Sequence, residues 1–176
     1  MPSKMTSEIF TIANNIEDKN MRAQFLRENG TRAIQELIRL NFDTDIKFLL
    51  PDGRPNFLEG DDKPPTFDDA SLNYEVRRLY LFIEGGNPNL SDLKRETLWI
   101  EMLNSLHADE ADDLTHMKDR TLHKKYKNIT HEVCHLAYPE FVRQPKPKPV
   151  RNAQGRFVNK EDEETPKKKS KRKKKT

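Results

Sequence analysis

The stretch SEIFTIANNIEDKNMRAQFLRENGTRAIQELIRL, residues 7–40, decides the fold of this chain. Ser7, Asp18 and Thr31 each suit a helix N-cap, because a short polar side chain accepts a hydrogen bond from a free N–H of the first turn. Apolar residues follow each cap at spacings of three and four. This pattern predicts three helices with the following inward side chains: Ile9, Ile12, Ala13 and Ile16; Met21, Phe25 and Leu26; Ile34, Leu37 and Ile38.

Glycine and proline mark where the predicted helices end. Asn29-Gly30 is typical of a left-handed helix stop, and the prolines that follow Pro51 predict an irregular loop of roughly 20 residues. Further helices are predicted in four places: after Ser71, with Leu72, Val76, Leu79, Tyr80 and Ile83 inward and a stop at Gly85-Gly86; after Ser91, with Leu98, Met102, Leu103 and Leu106 inward; over residues 109–118; and over Thr130–Tyr138.

Charge divides the chain into two opposite parts. Residues 143–176 hold 14 Lys/Arg against 4 Asp/Glu, whereas residues 1–142 hold 18 Lys/Arg against 25 Asp/Glu, a formal charge of −7. Like charges with nothing apolar to bury keep a segment extended and solvated. We therefore predict an acidic helical domain over residues 1–142, a Pro/Lys-containing linker over 143–166 and a disordered polybasic tail over 167–176. The predicted fold class is all-α, a small bundle of short helices with a long irregular loop.

The polybasic tail predicts non-specific contact with DNA. Lysines along an extended chain displace condensed counterions from phosphates, and no aromatic residue lies between 159 and 176 to stack on bases. The tail could instead be a solubilising extension or fold back onto the acidic domain. Membrane docking is not expected, because no amphipathic helix or acylation signal accompanies it. The predicted DNA-binding residues are Lys167, Lys168, Lys169, Lys171, Arg172, Lys173, Lys174 and Lys175.

The segment His131-Glu132-Val133-Cys134-His135 matches the zinc peptidase pattern H-E-x-x-H. Two histidines four residues apart share a helix face and can bind one zinc, and the glutamate can deprotonate a metal-bound water. However, no third histidine follows, and Pro139 ends the helix where such enzymes continue. We expect no metal, no cofactor and a helix that buries Val133, Leu136 and Ala137, with the histidines at its rim.

Cys134 is the single cysteine, which excludes an internal disulfide and fits a reducing cytoplasm. The N-terminal residues lack the apolar core of a signal peptide, so export is not expected.

Three segments carry a resemblance to a known group of proteins: FLLPDG at residues 48–53, LYLFIEGGNPNL at 79–90 and KRETL at 94–98. They resemble an uncharacterised family of small proteins from large contractile-tailed phages, including cyanobacterial ones. The resemblance extends over roughly residues 7–141, and the basic tail lies outside it. It implies a phage protein in the bacterial host cytoplasm and supplies no activity.

These observations favour a non-enzymatic accessory protein whose helical body binds a protein and whose tail contacts DNA. The turn over residues 85–90 and the helix start that follows are the expected protein contact, with Asn87, Asn89, Lys94 and Arg95 as partner-binding residues. Two alternatives stay open. An acidic inhibitor of a host protein, or DNA mimic, would need no nucleic acid, and a zinc metallopeptidase would use the H-E-x-x-H segment.

Overall fold

The computed structural model describes residues 4–58, 70–143, 150–151 and 157–158. The chain divides into two units, residues 1–145 and 146–176. The first unit is helical, which confirms the predicted all-α class. Its elements are α1 (Thr6–Asn15), α2 (Lys19–Glu28), α3 (Arg32–Phe42), α4 (Leu72–Glu75), a 3-10 helix (Val76–Phe82), α5 (Asp92–Ser105), α6 (Ala108–Lys118), α7 (Leu122–Lys125) and α8 (His131–Ala137).

Helix α1 begins before the predicted cap. Met5 is the N-cap, its N–H donates to the Glu8 carboxylate at 2.8 Å, and Ser7 lies buried inside the first turn. The helix packs against α2 and α6, and its buried apolar face consists of Ile9, Phe10 and Ala13. The predicted inward positions Ile12 and Ile16 are therefore wrong, since Ile12 is exposed and Ile16 is half-buried.

Helix α2 has the predicted cap but a different buried face. The Asp18 carboxylate accepts a hydrogen bond from the N–H of Met21 at 2.8 Å. Met21 itself is exposed, whereas Arg22, Ala23 and Leu26 are buried. The expected inward position of Met21 is wrong because the Arg22 guanidinium takes the inner side, where it binds backbone carbonyls.

Gly30 follows α2 for a reason other than the expected left-handed turn, because its φ is not positive. A Cβ at this position would lie 2.0 Å from the hydroxyl oxygen of Tyr138. That hydroxyl donates to the carbonyl of Leu26 at 2.5 Å. The glycine is thus required by the close approach of Tyr138, which joins the segment after α8 to the end of α2.

The segment after Ser71 is only briefly α-helical and continues as a seven-residue 3-10 helix. A 3-10 helix has three residues per turn, so residues i, i+3 and i+6 lie in line. Val76, Leu79 and Phe82 accordingly form its buried line. Tyr80, expected inward on an α-helical spacing, is exposed, and that prediction is wrong.

Helices α5, α6 and α8 agree with the sequence pattern in position, whereas the short α7 was not predicted. Ser91 and Thr130 cap α5 and α8 through their hydroxyls, and α6 begins one residue before the predicted segment. In α8, Cys134 is buried and Leu136 is exposed, so the expected burial of Leu136 is wrong.

The segment between α3 and α4 is irregular over its described residues, 43–58, which include the described part, 51–58, of the predicted loop. Its first part is fixed to the 3-10 helix by backbone hydrogen bonds: the N–H of Leu49 donates to the Phe82 carbonyl, and that of Glu84 to the Lys47 carbonyl, each at 2.8 Å. The start of the loop is therefore held against the end of the 3-10 helix. Within the described residues, no helix has the length and apolar character that crossing a membrane requires.

The second unit contains two short strands, β1 (Val150–Arg151) and β2 (Phe157–Val158), which pair antiparallel. The sequence predicted only an extended linker there. The predicted polybasic tail, residues 167–176, lies outside the described residues.

Candidate functional site

The turn between the 3-10 helix and α5 is the surface that we predicted from the sequence to bind a protein. Gly85 has a φ of 80°, which favours glycine. A Cβ on Gly86 would lie 1.7 Å from the carbonyl oxygen of Tyr80. At Gly86 a side chain would therefore force the backbone to move, whereas at Gly85 there is space and only the positive φ disfavours a larger residue. The two glycines thus permit this path of the turn.

Hydrogen bonds then hold the backbone from the turn to the start of α5. The Asn87 side-chain oxygen accepts from the N–H of Asn89 at 3.1 Å. The Asn87 carbonyl accepts from the N–H of Leu90 at 3.3 Å. The Ser91 hydroxyl accepts from the N–H of Lys94 at 3.4 Å. Of the predicted contact residues, Asn89 and Lys94 are exposed and Asn87 is half-buried with its oxygen already engaged.

Arg95 has a different role from the one that the sequence predicted. It is 3% exposed, and its guanidinium donates to the Leu81 carbonyl at 3.1 Å and to the Leu90 carbonyl at 2.9 Å. It also pairs with Asp92 at 2.5 Å. Arg95 cannot face a partner, and we correct the prediction for this residue: it holds the turn from inside.

Leu93 is an exposed apolar residue beside this turn that the sequence prediction did not include. It is 78% exposed, the highest exposure among the large hydrophobic residues of the described chain. A signal for it existed, since Leu93 lies off the helical stripe of Leu98, Met102 and Leu103. We call Asn89, Leu93 and Lys94 the α5 turn surface. Asn89 lies in the turn before α5, and Leu93 and Lys94 lie in the first turn of the helix.

The side chains of the H-E-x-x-H segment are engaged elsewhere. The His131 ring packs on the ring of Phe42, with centroids 5.2 Å apart. Glu132 pairs with Lys19 at 2.5 Å, and Nδ1 of His135 lies 2.6 Å from the Val142 carbonyl oxygen. Burial, and then the neighbouring His135, lower the pKa of His131. In α8, His131 thus packs against an aromatic ring, Glu132 forms an ion pair and His135 contacts a backbone carbonyl.

Among the residues that the structure describes, no three histidine, cysteine or acidic side chains come together in a way that could hold a metal ion. Cys134 is fully buried, and this burial raises the pKa of its thiol. The arrangement around α8 therefore supplies neither a third zinc ligand nor a reactive thiolate.

A buried ion cluster lies between α6 and α7, and the sequence did not predict it. One carboxylate oxygen of Asp113, which is fully buried, accepts from the Tyr126 hydroxyl at 2.9 Å and pairs with Lys125 at 2.7 Å. Lys125 also pairs with Asp112 at 2.9 Å. Burial raises the pKa of Asp113 to about 6 and, together with Asp113, raises that of Tyr126.

This cluster is better suited to holding α6 and α7 together than to catalysis. The raised pKa keeps the Tyr126 hydroxyl protonated. The second oxygen of Asp113 is buried without a hydrogen-bond partner in the described part of the chain. The hollow beside it, about 600 Å³, is lined by Lys125 and Tyr126 but not by Asp113.

The DNA-binding residues expected in the tail, Lys167 to Lys175, lie outside the described residues, so their expected role stays a prediction.

The model of a family of unknown function, DUF6433, matches residues 9–124, about two thirds of the chain. No curated protein and no solved structure matches the chain.

Proposed function

The chain belongs to DUF6433, a family of unknown function, and we propose that it is a non-enzymatic accessory protein. Its helical body binds a protein partner through the α5 turn surface, and its polybasic tail contacts DNA without sequence specificity. The resemblance stated above further supports a phage protein that acts in the bacterial host cytoplasm.

The observation that carries the protein-binding part is the exposure of Leu93 in the first turn of α5, directly after a turn with an ordered backbone. A backbone that is already ordered loses little conformational entropy on binding. Asn89 and Lys94 add polar groups beside it, while the buried Arg95 holds the turn through hydrogen bonds to the carbonyls of Leu81 and Leu90.

The opposite charges of the two parts of the chain support the DNA-binding part. The body carries a formal −7, and the last ten residues carry eight cations and no acid. Since phosphate contacts dominate non-specific affinity, the tail is the segment suited to DNA and most of the body's surface is not.

A salt titration of duplex DNA binding tests the tail. The comparison is between the full chain and a full-length variant whose eight tail cations are replaced by serine. Each phosphate contact contributes roughly −0.9 to the slope of log affinity against log salt concentration. We expect the variant to lose most of this slope. An unchanged slope and affinity would exclude the tail as the DNA-binding element.

Comparative capture from infected-cell extract tests the α5 turn surface. Leu93→Asn should lose a protein that the wild type retains in near-equimolar amount. The matched control is Leu136→Asn, because Leu136 is also exposed, at 44%, but lies on α8. Equal retention by both variants would contradict the proposed surface.

A further inference from the structure

A hollow of about 220 Å³ lies between α3 and the 3-10 helix. Its charged and aromatic lining is Arg32, Glu36, Arg39, Arg77 and Tyr80. Its apolar lining is Leu40, Val76, Leu79 and Ile83. We call this hollow the arginine groove.

The 3-10 geometry gives the groove an ordered edge. Three residues per turn place Arg77 and Tyr80 in line on the outer side of the helix, and Tyr74 in α4 precedes them by the same spacing. The Arg77 guanidinium lies over the Tyr74 ring, 5.3 Å from its centroid. Tyr74 is 62% exposed and Tyr80 is 52% exposed. The edge thus presents an aromatic ring, a guanidinium and a second aromatic ring to solvent.

Two of the three arginines that line the groove have no ion-pair partner in the described part of the chain. Glu36 pairs with Arg39 at 2.9 Å. No ion pair joins Arg32 or Arg77 to any residue in the described ranges, and both side chains are exposed. Three arginines against one glutamate leave the groove positive within a body whose formal charge is −7.

We propose that the arginine groove binds single-stranded nucleic acid. Guanidinium groups bind phosphate oxygens through paired hydrogen bonds, and exposed tyrosine rings stack on unpaired bases of any sequence. A duplex offers its phosphates but keeps its bases stacked inside, so it would leave Tyr74 and Tyr80 unused. Arg32, Arg77 and Tyr80 line one hollow, and the Tyr74 ring lies against Arg77. This combination of cations and rings therefore fits a single strand.

This inference goes beyond the proposed function, in which only the tail contacts nucleic acid. The two sites differ in chemistry. The tail has cations without aromatic residues, and the groove has both. They can therefore be tested separately in the same chain.

The experiment uses the full-length variant whose eight tail cations are serine, so that the tail does not contribute. Binding is measured by fluorescence anisotropy with an oligothymidylate of roughly 12 nucleotides, within the usual site size for such grooves, and with a duplex of equal length. The substitutions are Tyr80→Leu and Arg77→Gln. The matched controls are Tyr80→Phe, which keeps the ring, and Lys124→Gln, which removes one exposed cation on α7. Thermal unfolding checks that each variant is folded.

We expect the tail-substituted chain to bind the single strand more tightly than the duplex. Tyr80→Leu should weaken single-strand binding by about fivefold or more, which is the value of one base stack. Arg77→Gln should weaken it as well, and both controls should leave it unchanged.

Three results would overturn the inference: no single-strand binding by the tail-substituted chain, equal binding of duplex and single strand, or competition by polyglutamate as strong as that by oligothymidylate. Failure of the tail proposal is recognised separately. In that case, serine substitution of the tail leaves duplex affinity unchanged, whatever Tyr80→Leu does.

Discussion

Arginine side chains have opposite roles at the helix ends and in the arginine groove. Arg22, Arg27, Arg95 and Arg120 each donate to backbone carbonyls at or next to the last residues of a helix. Carbonyls at helix ends generally lack i+4 donors within their own helices. Arg32 and Arg77 lie on the surface and bind no carbonyl or carboxylate in the described chain. Arginine in this body is therefore either part of the fold or available to a ligand, and sequence alone does not separate the two.

Arg22 shows most clearly what the first group does. It is 6% exposed and donates to the carbonyls of Ala13, Ile16, Glu17 and Asn128. One guanidinium thus satisfies the end of α1 and the loop before α8 together. Charge at such a position stabilises the fold and is unavailable to a partner.

The largest expected effect comes from Arg22→Met, which keeps the apolar stem and removes the donors. Several carbonyls would lose their partners, so the free energy of unfolding should fall by about 3–5 kcal/mol. Urea unfolding measures the change. The matched substitution Arg77→Met, on the groove, should cost about 1 kcal/mol at most, because it removes only an exposed cation–π contact. Similar losses for the two variants would remove the distinction between the regions.

The second-largest expected effect concerns Asp113. Burial raises the pKa of its carboxyl group from 3.8 to about 6. The folded protein therefore holds the proton more tightly than the unfolded chain does. The stability that this group contributes is complete below pH 4 and is lost as the pH rises through 6. A shift of about two pKa units corresponds to about 3 kcal/mol.

Asp113→Asn removes this titration. Relative to wild type, the variant should gain up to about 3 kcal/mol of unfolding free energy between pH 4 and pH 7. Urea unfolding at several pH values follows the difference. Asp52→Asn, in the exposed part of the loop, serves as the control. A constant difference between Asp113→Asn and wild type would show that folding does not change the pKa of Asp113.

A smaller, equal effect is expected at the two caps that border the regions. The Thr31 hydroxyl accepts from the N–H of Ile34 at 3.3 Å beside the groove, and Ser91 makes the same contact at 3.4 Å beside the α5 turn surface. Thr31→Ala and Ser91→Ala should each cost about 1 kcal/mol of unfolding free energy, measured by urea unfolding. A much larger cost at one cap would mean that its region depends on the helix start for more than capping.

The smallest expected effect on stability is that of Arg77→Gln. The guanidinium is exposed and contacts only the Tyr74 ring in the described chain, a contact of about 0.5–1 kcal/mol at exposed sites. Its melting temperature should therefore differ little from that of wild type. A large drop would assign Arg77 to the fold and leave the groove without one of its two unpaired cations.

The sequence predicted the helices well because their signals are local. Asp18, Thr31 and Ser91 cap the helices as expected, since a cap needs only its own first turn. The errors at Met21, Tyr80 and Leu136 have a different origin. Each depends on what packs from elsewhere in the chain or, for Tyr80, on a change from α to 3-10 geometry that hydrophobic spacing does not reveal.

The candidate sites were less accessible to prediction than the fold. The turn over residues 85–90 was found from its glycines and asparagines, but Arg95 was assigned outward because hydropathy treats every arginine as exposed. The arginine groove was missed for a related reason. Arg32, Arg39 and Arg77 come from two helices separated by the long loop, and only tertiary packing brings them together.

The contact between Gly30 and Tyr138 has a practical consequence for anyone who shortens this protein. The segment recognised by the family model ends at residue 124, yet the Tyr138 hydroxyl fills the space above Gly30 and binds the Leu26 carbonyl. A fragment trimmed to the recognised segment would leave that space empty and uncover the buried side of α2. Fragments intended for crystallisation or NMR spectroscopy should therefore continue at least through Val142, which is itself 1% exposed.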